Sequence, residues 1–513
     1  MRSPRLIGWL LALATVVVVV GAQRDVGLAR DETVYMTYGS KYADWWTGLA
    51  TFQHGVSSEG IAKTFGGKAP TDNNREHPPL MKTLFGFSEK LLDDKLGIAG
   101  LAEAIIAALL ALLLPRALFH AGLACFDAPI MTLWFATIYA YARALTKTTF
   151  PWEVGVMFGL ALATKHNAML LPFALGVHYL VVGFAAARKT KDWTLVVTHR
   201  WPVIASLAVL GPLTLYAVWP WLWFAPVSHV TQWLKFHLTH VHYNFEYLGK
   251  NWNAPPFPAG VAVVTTLFTV PVATLVAALA GFGAWTEQAL ARRRDPDRAS
   301  DPTRPVLLLV LSAAASMGPF FLGSTPIFGA EKHWMPALPT IVIAAAIGIG
   351  WCGRRIVPRA PHIATASLAS LVVLAALVET RAAHPYALTW YNALAGGAAG
   401  GADHGMNRQF WGVAARGVLP ALPRLLPEGG PVYTHDASPA WGVYQREGLV
   451  PKTMPDAGWE EIGIQRSQLA FVIHERHFNR HDYLIWKAYG TVAPVFVLRA
   501  DGVPIVSVYR RAK

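Results

Sequence analysis

Two acidic residues with the chemistry of a general base follow the first apolar stretch of the chain. Asp31 and Glu32 stand in the segment RDETVY, shortly after the apolar run WLLALATVVVVVGA. A partly desolvated carboxylate at a membrane surface can take a proton from a hydroxyl or an amine. The alternative is an ordinary solvated loop after a helix, and these two residues alone do not decide between the interpretations.

A second group of chemically able residues is the segment REHPPL at 75–80. The two prolines prevent the segment from continuing as a helix, so Glu76 and His77 are held on a rigid turn. Glu76 with a histidine suits a divalent metal, whereas Arg75 and His77 are candidates for contact with a phosphate. The alternative is a plain turn before a surface helix.

A histidine-rich tract, HLTHVHYNFEYLG, contains His237, His240 and His242. Such tracts can bind metal ions, and histidines and tyrosines can also anchor a protein at a membrane interface. We assign His240 and His242, together with Glu76, as candidate metal ligands.

Three charged residues stand at the ends of apolar segments. Asp127 is a functional candidate because a carboxylate there is costly, although it could instead cap the helix that follows. Lys165 lies either in a tight interfacial loop or against an anion. Lys332 lies either in an ordinary loop or near a lipid phosphate, which a lysine can hold as a point charge.

The composition is that of a membrane protein. The chain has 513 residues, of which 54% are hydrophobic and 15% charged, with 20 tryptophans, whereas soluble domains carry roughly 25% charged residues. The net charge of +13 comes from lysines and arginines in short loops between apolar stretches, which indicates membrane topology rather than nucleic-acid binding. Cys125 and Cys352 fit neither a zinc spacing nor a disulfide framework.

We therefore predict a mainly α polytopic membrane protein with about 10–11 transmembrane helices and a small C-terminal α/β domain. Residues 1–380 form the membrane domain, with extracytoplasmic loops at 23–97 and 223–259, and residues 381–513 form the second domain. The predicted spans are 6–22, 98–118, 128–146, 151–164, 168–187, 202–222, 260–284, 305–323, 335–352 and 362–380. The predicted strands of the second domain lie in the segments PVYTHDA, QLAFVIHE and VFVLRADGVPIVSVYRR, the last with a hairpin turn at Asp501-Gly502.

The predicted topology contains one conflict. Basic loops are typical of the cytoplasmic side, and counting back from them places Asp127 and residues 381–513 outside. Counting forward from a cytoplasmic N-terminus places Asp127 inside. One crossing between residues 80 and 120 is therefore unaccounted for.

The order of several motifs along the chain resembles a known family. RDETVY, EHPPL, FHAGLACFDAPIMTLW and GLALATKHNAMLLP are similar to segments of polyprenyl-phosphate-sugar-dependent glycosyltransferases of the C-type membrane fold. This is the family-39 group of protein O-mannosyltransferases and aminoarabinose transferases. The resemblance covers residues 25–400 and rests on the order of the motifs, since no single motif is specific.

The resemblance implies an inverting glycosyl transfer from a polyprenyl-phosphate sugar to a lipid, glycan or protein acceptor. It implies a site on the extracytoplasmic face of a bacterial inner membrane. Asp31 would be the general base or would position the acceptor, and Asp127 would support one of the two substrate sites. Lys332 or Arg75 would contact the donor phosphate. Glu76, with a histidine of the histidine-rich tract, would bind a divalent metal.

Two other functions fit the same composition. A transporter or flippase of lipid-linked substrates would place polar groups near the bilayer midplane, whereas here they lie at helix ends and in loops. A non-catalytic membrane scaffold would give the regions of Asp31, Glu76 and His240 no reason to share one side.

Overall fold

The computed structural model describes residues 15–19, 21–23, 25–66, 77–91, 102–239, 244–294, 304–327, 329–475 and 478–512. The first helices in chain order carry much of the candidate site. They are α1 (Arg30–Ala50), α2 (Ser58–Phe65), α3 (Leu80–Leu91), α4 (Ala102–Leu112), α5 (Pro115–Gly122), α6 (Asp127–Ala144) and α7 (Trp152–Leu162).

The middle of the chain is also helical, with one two-stranded hairpin in the predicted loop 223–259. The helices are α8 (Leu171–Thr190), α9 (Leu195–Thr198), α10 (Trp201–Ala205), α11 (Gly211–Val218), α12 (Pro226–Leu238), α13 (Val261–Thr269), α14 (Val272–Arg294), α15 (Pro305–Met317), α16 (Leu338–Ile356) and α17 (Pro361–Ala383). The hairpin pairs β1 (Phe245–Tyr247) with β2 (Lys250–Trp252).

The chain is an integral membrane protein with several long apolar helices. Among the described residues, four helices have the length and composition to cross a membrane: His166–Thr190, Trp201–Val218, Met335–Ile356 and Pro361–Ala383. The pair α5 and α6 would be a fifth only if taken as one span, and it bends by 107°. Trp152–Leu162 and Pro305–Phe321 are shorter apolar helices. The predicted span 6–22 lies largely outside the described residues.

Two predicted spans are broken at prolines. The prediction of one helix over 260–284 is wrong, because α13 ends at Thr269 and α14 begins at Val272, on either side of Val270–Pro271. In the same way, the predicted span 98–118 is divided between α4 and α5 before Pro115. A proline lacks the amide hydrogen that the helix needs, and its ring clashes with the preceding turn.

The closest helix packing joins α14 to α16. A Cβ at Gly281 would lie 1.8 Å from the carbonyl oxygen of Ala344, and one at Gly348 would lie 2.0 Å from that of Ala277. The two backbones can approach this closely only because small residues face each other, as is common between membrane helices. This pair and α4 share one apolar core cluster with part of α17.

The C-terminal region is a small α/β unit, as predicted. Its sheet has the order β3-β4-β6-β5, with β3 parallel to β4 and the other pairs antiparallel. The predicted hairpin joins β5 and β6 at Asp501-Gly502. The elements are α18 (Gly397–Asp403), α19 (Leu422–Leu425), β3 (Val432–Tyr433), α20 (Ser438–Arg446), α21 (Glu461–Arg466), β4 (Leu469–Ile473), α22 (Asn479–Tyr489), β5 (Phe496–Ala500) and β6 (Val503–Arg510).

Candidate active site at the ends of the apolar helices

A buried ion pair lies at the centre of the candidate site. Asp127 is the first residue of α6, and its Oδ1 lies 2.6 Å from Lys165 Nζ. Its Oδ2 lies 3.6 Å from Nδ1 of His120, a fully buried side chain of α5. The alternative prediction that Asp127 caps its own helix is wrong, because the carboxylate makes no cap hydrogen bond and points to Lys165 instead.

Lys332 is a second buried lysine in this cluster. It lies in the short 3-10 turn Ala330–His333, with Nζ 4.1 Å from the ring centre of Trp411 and 4.7 Å from that of Phe410. Burial lowers the pKa of Lys332 to about 8, although the charges of Asp127 and Asp31 oppose this shift.

The carboxylate of Glu32 accepts hydrogen bonds from two backbone amides. Its two oxygens accept hydrogen bonds from the backbone amides of Ala29 at 2.6 Å and Ala124 at 2.7 Å. The side chain therefore covers the N-terminus of α1 and ties it to the loop before α6. Burial raises the pKa of Glu32 to about 7, against the effect of the two amides.

Asp31 is the more accessible acid of the pair, with its side chain 29% exposed. Its Oδ1 lies 3.4 Å from Arg30 Nε, and Arg30 Nη1 lies 2.8 Å from Asp436 Oδ1 in the C-terminal region. The two carboxylates raise the pKa of Arg30 despite its burial. Arg30 therefore joins the start of α1 to the C-terminal unit and leaves Asp31 at the edge of that contact.

A second buried ion pair, Arg116 with Glu331, lies beside the turn that carries Lys332. Arg116 Nη1 lies 2.8 Å from Glu331 Oε2, and its Nη2 donates to the carbonyl oxygens of Leu388 at 3.0 Å and Trp390 at 3.2 Å. Because Glu331 immediately precedes Lys332, this pair fixes the turn that carries the buried lysine.

Several histidines cluster beside Lys165. The rings of His166 and His237 stack at 3.8 Å, and the ring of His77 lies 6.2 Å from that of His237. His77 also packs against Phe126, and its carbonyl oxygen accepts a hydrogen bond from Lys82. Its predicted contact with a phosphate stays a prediction.

The cluster brings together Asp127 and Asp31, which the two topological counts placed on either the same side or opposite sides of the membrane. Cys125 lies within electrostatic range of Glu32, Asp31, Asp127 and Lys332, so all of these residues share one end of the molecule. Immediately before Asp127 the chain bends by 107° between α5 and α6. Asp127 therefore lies at the same end of the molecule as Asp31, and the side of the membrane that this end faces stays a prediction.

Four predicted site residues, Arg75, Glu76, His240 and His242, lie outside the described residues. Within the part of the chain that is described, no group of three or more histidine, cysteine, aspartate or glutamate side chains could hold a metal ion. The metal site therefore stays a prediction.

Sequence reasoning missed His120, Arg116, Trp411 and Asp436. The first two could have been found, because they lie four residues apart in the otherwise apolar segment PRALFHAG, where a buried ionisable side chain is a functional candidate. No local pattern marks the other two, which meet the site only through the fold.

Comparison with known proteins gives a weak structural similarity. No protein-family model matches the chain, and no curated protein matches it. The chain is similar to the crystal structure of ArnT from Cupriavidus metallidurans in the apo state, with 13% identity, 97% of each chain covered and a TM-score of 0.48. It is also similar to the same protein bound to undecaprenyl phosphate, with 13% identity, 97% of each chain covered and a TM-score of 0.45. Values this low assign neither a family nor an activity.

Proposed function

We propose that this protein is an integral-membrane glycosyltransferase that transfers a sugar from a polyprenyl-phosphate donor to a lipid, glycan or protein acceptor. The observation that carries the proposal is the convergence of two buried lysines, Lys165 and Lys332, on Asp127, with the partly exposed Asp31 within electrostatic range. The ammonium groups of the two lysines can stabilise the negative charge of a phosphate. A carboxylate that solvent and substrate can reach is suited to deprotonate an attacking hydroxyl. We place the site on the extracytoplasmic face of the inner membrane, following the basic loops.

The proposed reaction is an inverting displacement. The acceptor hydroxyl oxygen attacks the anomeric carbon as its proton passes to Asp31, and the bond from that carbon to the phosphate oxygen breaks. The bonding electrons leave with the lipid phosphate, whose added negative charge is stabilised by Lys332 and Lys165. Asp31 then returns its proton to solvent.

We assign positioning roles to the two fully buried carboxylates. Asp127 orients Lys165 through the 2.6 Å contact, and Glu32 fixes the backbone on both sides of the site through its two amide hydrogen bonds. A divalent metal at Glu76, His240 and His242 is a separate proposal, and no step above passes through it. Loss of activity with a chelator, and its return with added metal, would support that site.

The test is a transfer assay with the purified full chain and a panel of radiolabelled polyprenyl-phosphate sugars. Asp31→Asn should abolish release of label from the lipid, with a loss of at least about 100-fold, as expected for a missing general base. Asp44→Asn is the matched control, since it makes the same change at an exposed position of the same helix. Full turnover by Asp31→Asn would remove Asp31 as the base. No turnover by the folded wild-type protein with any donor would favour the transporter or scaffold instead.

A further inference from the structure

A polar cavity whose lining includes neither Lys165 nor Lys332 lies between the hairpin and the C-terminal unit. It has a volume of about 150 Å³. Three parts of the chain form its walls: Glu246 in strand β1, residues within 402–408, and the pairs His474 with Glu475 and Asn479 with Asp482, the latter pair in α22. Its polar side chains are Glu246, Arg408, His474, Glu475, Asn479 and Asp482.

The lining combines hydrogen-bond acceptors and donors. Glu246, Glu475 and Asp482 are each at least nine-tenths buried and present carboxyl oxygens, while Arg408 and Asn479 present N–H groups. A hydroxyl group donates one hydrogen bond and accepts others. A ligand with several hydroxyls can therefore use both kinds of wall group, whereas a simple cation would use only the acids.

The protonation of the walls also suits a neutral ligand. Burial lowers the pKa of His474 to about 4, so this imidazole is uncharged near neutral pH, and its Nε2 is 2.9 Å from Ser507 Oγ. Burial raises the pKa of Asp482 to about 7 and also raises that of Glu475. Near neutral pH the Asp482 carboxyl can therefore be a donor as well as an acceptor.

The walls are tied together by backbone hydrogen bonds, so the cavity is built into the fold. The amide of Gly249 in the hairpin donates to Gly405 O at 3.0 Å, and the amide of His474 donates to Ile505 O in β6 at 3.1 Å. A dry cavity of about 150 Å³ can hold benzene. The space in this cavity therefore matches one six-membered ring.

One wall residue of the cavity, Glu475, lies near a residue that contacts the proposed base, Asp31. Glu475 lies within electrostatic range of Asp436 and Arg30, and Arg30 contacts Asp31 directly. Arg30 therefore lies near both the cavity wall and Asp31, whereas the lysines lie near Asp127. A donor phosphate at the lysines and an acceptor group in the cavity would occupy different parts of the site.

We propose that this cavity is the acceptor subsite and takes a hydroxylated six-membered ring of the sugar type, an inference that rests on the proposed glycosyl transfer. The ring can belong to a free glycan or to a lipid headgroup, which have this chemistry in common. The ring hydroxyls would be held by Glu246 and Asp482, which come from different segments of the chain, with Arg408 as donor.

The experiment is saturation-transfer NMR on the full chain in a detergent that carries no sugar. The probes are methyl glucopyranoside and methyl mannopyranoside, a glycolipid with a single hexose headgroup, and ethanolamine as an amine without a ring. At least one pyranoside probe should bind. Its affinity should fall by about tenfold in Glu246→Ala and in Asp482→Ala, because each change removes a buried carboxyl partner. Asp501→Asn, on the exposed hairpin turn, should leave the affinity unchanged.

The two variants lie in different segments, and an unchanged melting temperature shows that each is folded. The proposal is overturned if no pyranoside binds the folded wild type, if both variants bind like the wild type, or if ethanolamine alone binds. Binding by the glycolipid and not by the free glycosides would identify the lipid source. Because no donor is present, pyranoside binding without any transfer activity would refute the proposed function and not the sugar site. Transfer activity with unaltered binding in both variants would refute only the subsite.

Discussion

Replacing Asp127 with asparagine should destabilise the protein by about 3–5 kcal/mol, the usual result of leaving one partner of a buried ion pair alone. Asp127 Oδ1 lies 2.6 Å from Lys165 Nζ, and the two side chains are only 6% and 10% exposed. At an effective dielectric constant of about 20, charges at this distance attract with about 6 kcal/mol. Asparagine keeps an oxygen near the ammonium group but not the charge, so only part of this attraction is retained.

The double variant Asp127→Asn/Lys165→Met separates this explanation from a general loss of packing. Removing the stranded ammonium group should recover about 2–3 kcal/mol of the single variant's loss, within the range of coupling energies between residues in contact. Methionine approximates the length of the lysine stem and needs no counter-charge. Lys165→Met alone should also be destabilising, because it strands the carboxylate.

The assay is denaturant unfolding of the purified protein in detergent, followed by tryptophan fluorescence. Glu287→Gln is the matched control, because Glu287 lies 2.7 Å from Arg355 Nη2 but both side chains are more than half exposed, at 54% and 56%. This control should leave the unfolding midpoint unchanged, as is usual for exposed pairs. The reasoning is refuted if Asp127→Asn costs less than about 1 kcal/mol, or if the double variant is no more stable than the single one.

Three other perturbations test the remaining parts of the structure. Lys332 has a pKa of about 8, so the KM for a polyprenyl-phosphate donor should rise as pH increases through 8. Lys332→Arg should move that rise to higher pH because arginine stays charged. A KM that is constant from pH 7 to 9 would exclude the lysine from phosphate binding. Gly281→Ala should lower the melting temperature because its Cβ would lie 1.8 Å from a backbone oxygen of α16. In the control Gly283→Ala, in the same helix, the added Cβ meets nothing within 4 Å, so this change should be neutral or slightly stabilising. Equal effects of the two changes on the melting temperature would contradict the close packing. Asp482 has a folded pKa of about 7 against 3.8, so the folded state binds more protons between these values and its contribution to the free energy of unfolding falls as pH rises through that window; Asp482→Asn should flatten this slope, and an unchanged slope would show that the carboxyl is not perturbed.

Long apolar runs made the helices predictable. The spans predicted at 168–187 and 362–380 correspond to the helices His166–Thr190 and Pro361–Ala383, because about 20 apolar residues in sequence have few alternatives to a spanning helix. The strands of the C-terminal unit were also predictable, since alternating apolar residues and the Asp501-Gly502 turn specify a hairpin. The helix break at Pro271 could have been predicted from the proline itself, but the apolar composition of residues 260–284 suggested one continuous helix.

The arrangement of the site was less predictable, because it depends on contacts between distant residues. Asp127 and Lys165 were each recognised as candidates, but their pairing across 38 residues requires knowledge of how α6 and α7 pack. Glu32 and Asp31 were both predicted to be catalytic, but the two neighbours have different surroundings, since Glu32 accepts from two backbone amides and Asp31 is partly exposed. Only the fold distinguishes them.

The contacts of Arg116 with the C-terminal region have a consequence for the order in which the protein is made. Its buried guanidinium donates to the carbonyl oxygens of Leu388 and Trp390, residues that leave the ribosome long after α5. In the same way, Arg30 is synthesised long before its partner Asp436. A nascent chain folds from its N-terminus, so the membrane helices are synthesised with two arginines whose later partners do not yet exist. A product truncated before residue 388 would keep the ion pair of Arg116 with Glu331 but would lack both backbone acceptors of that buried guanidinium. This favours removal of the truncated chain by quality control.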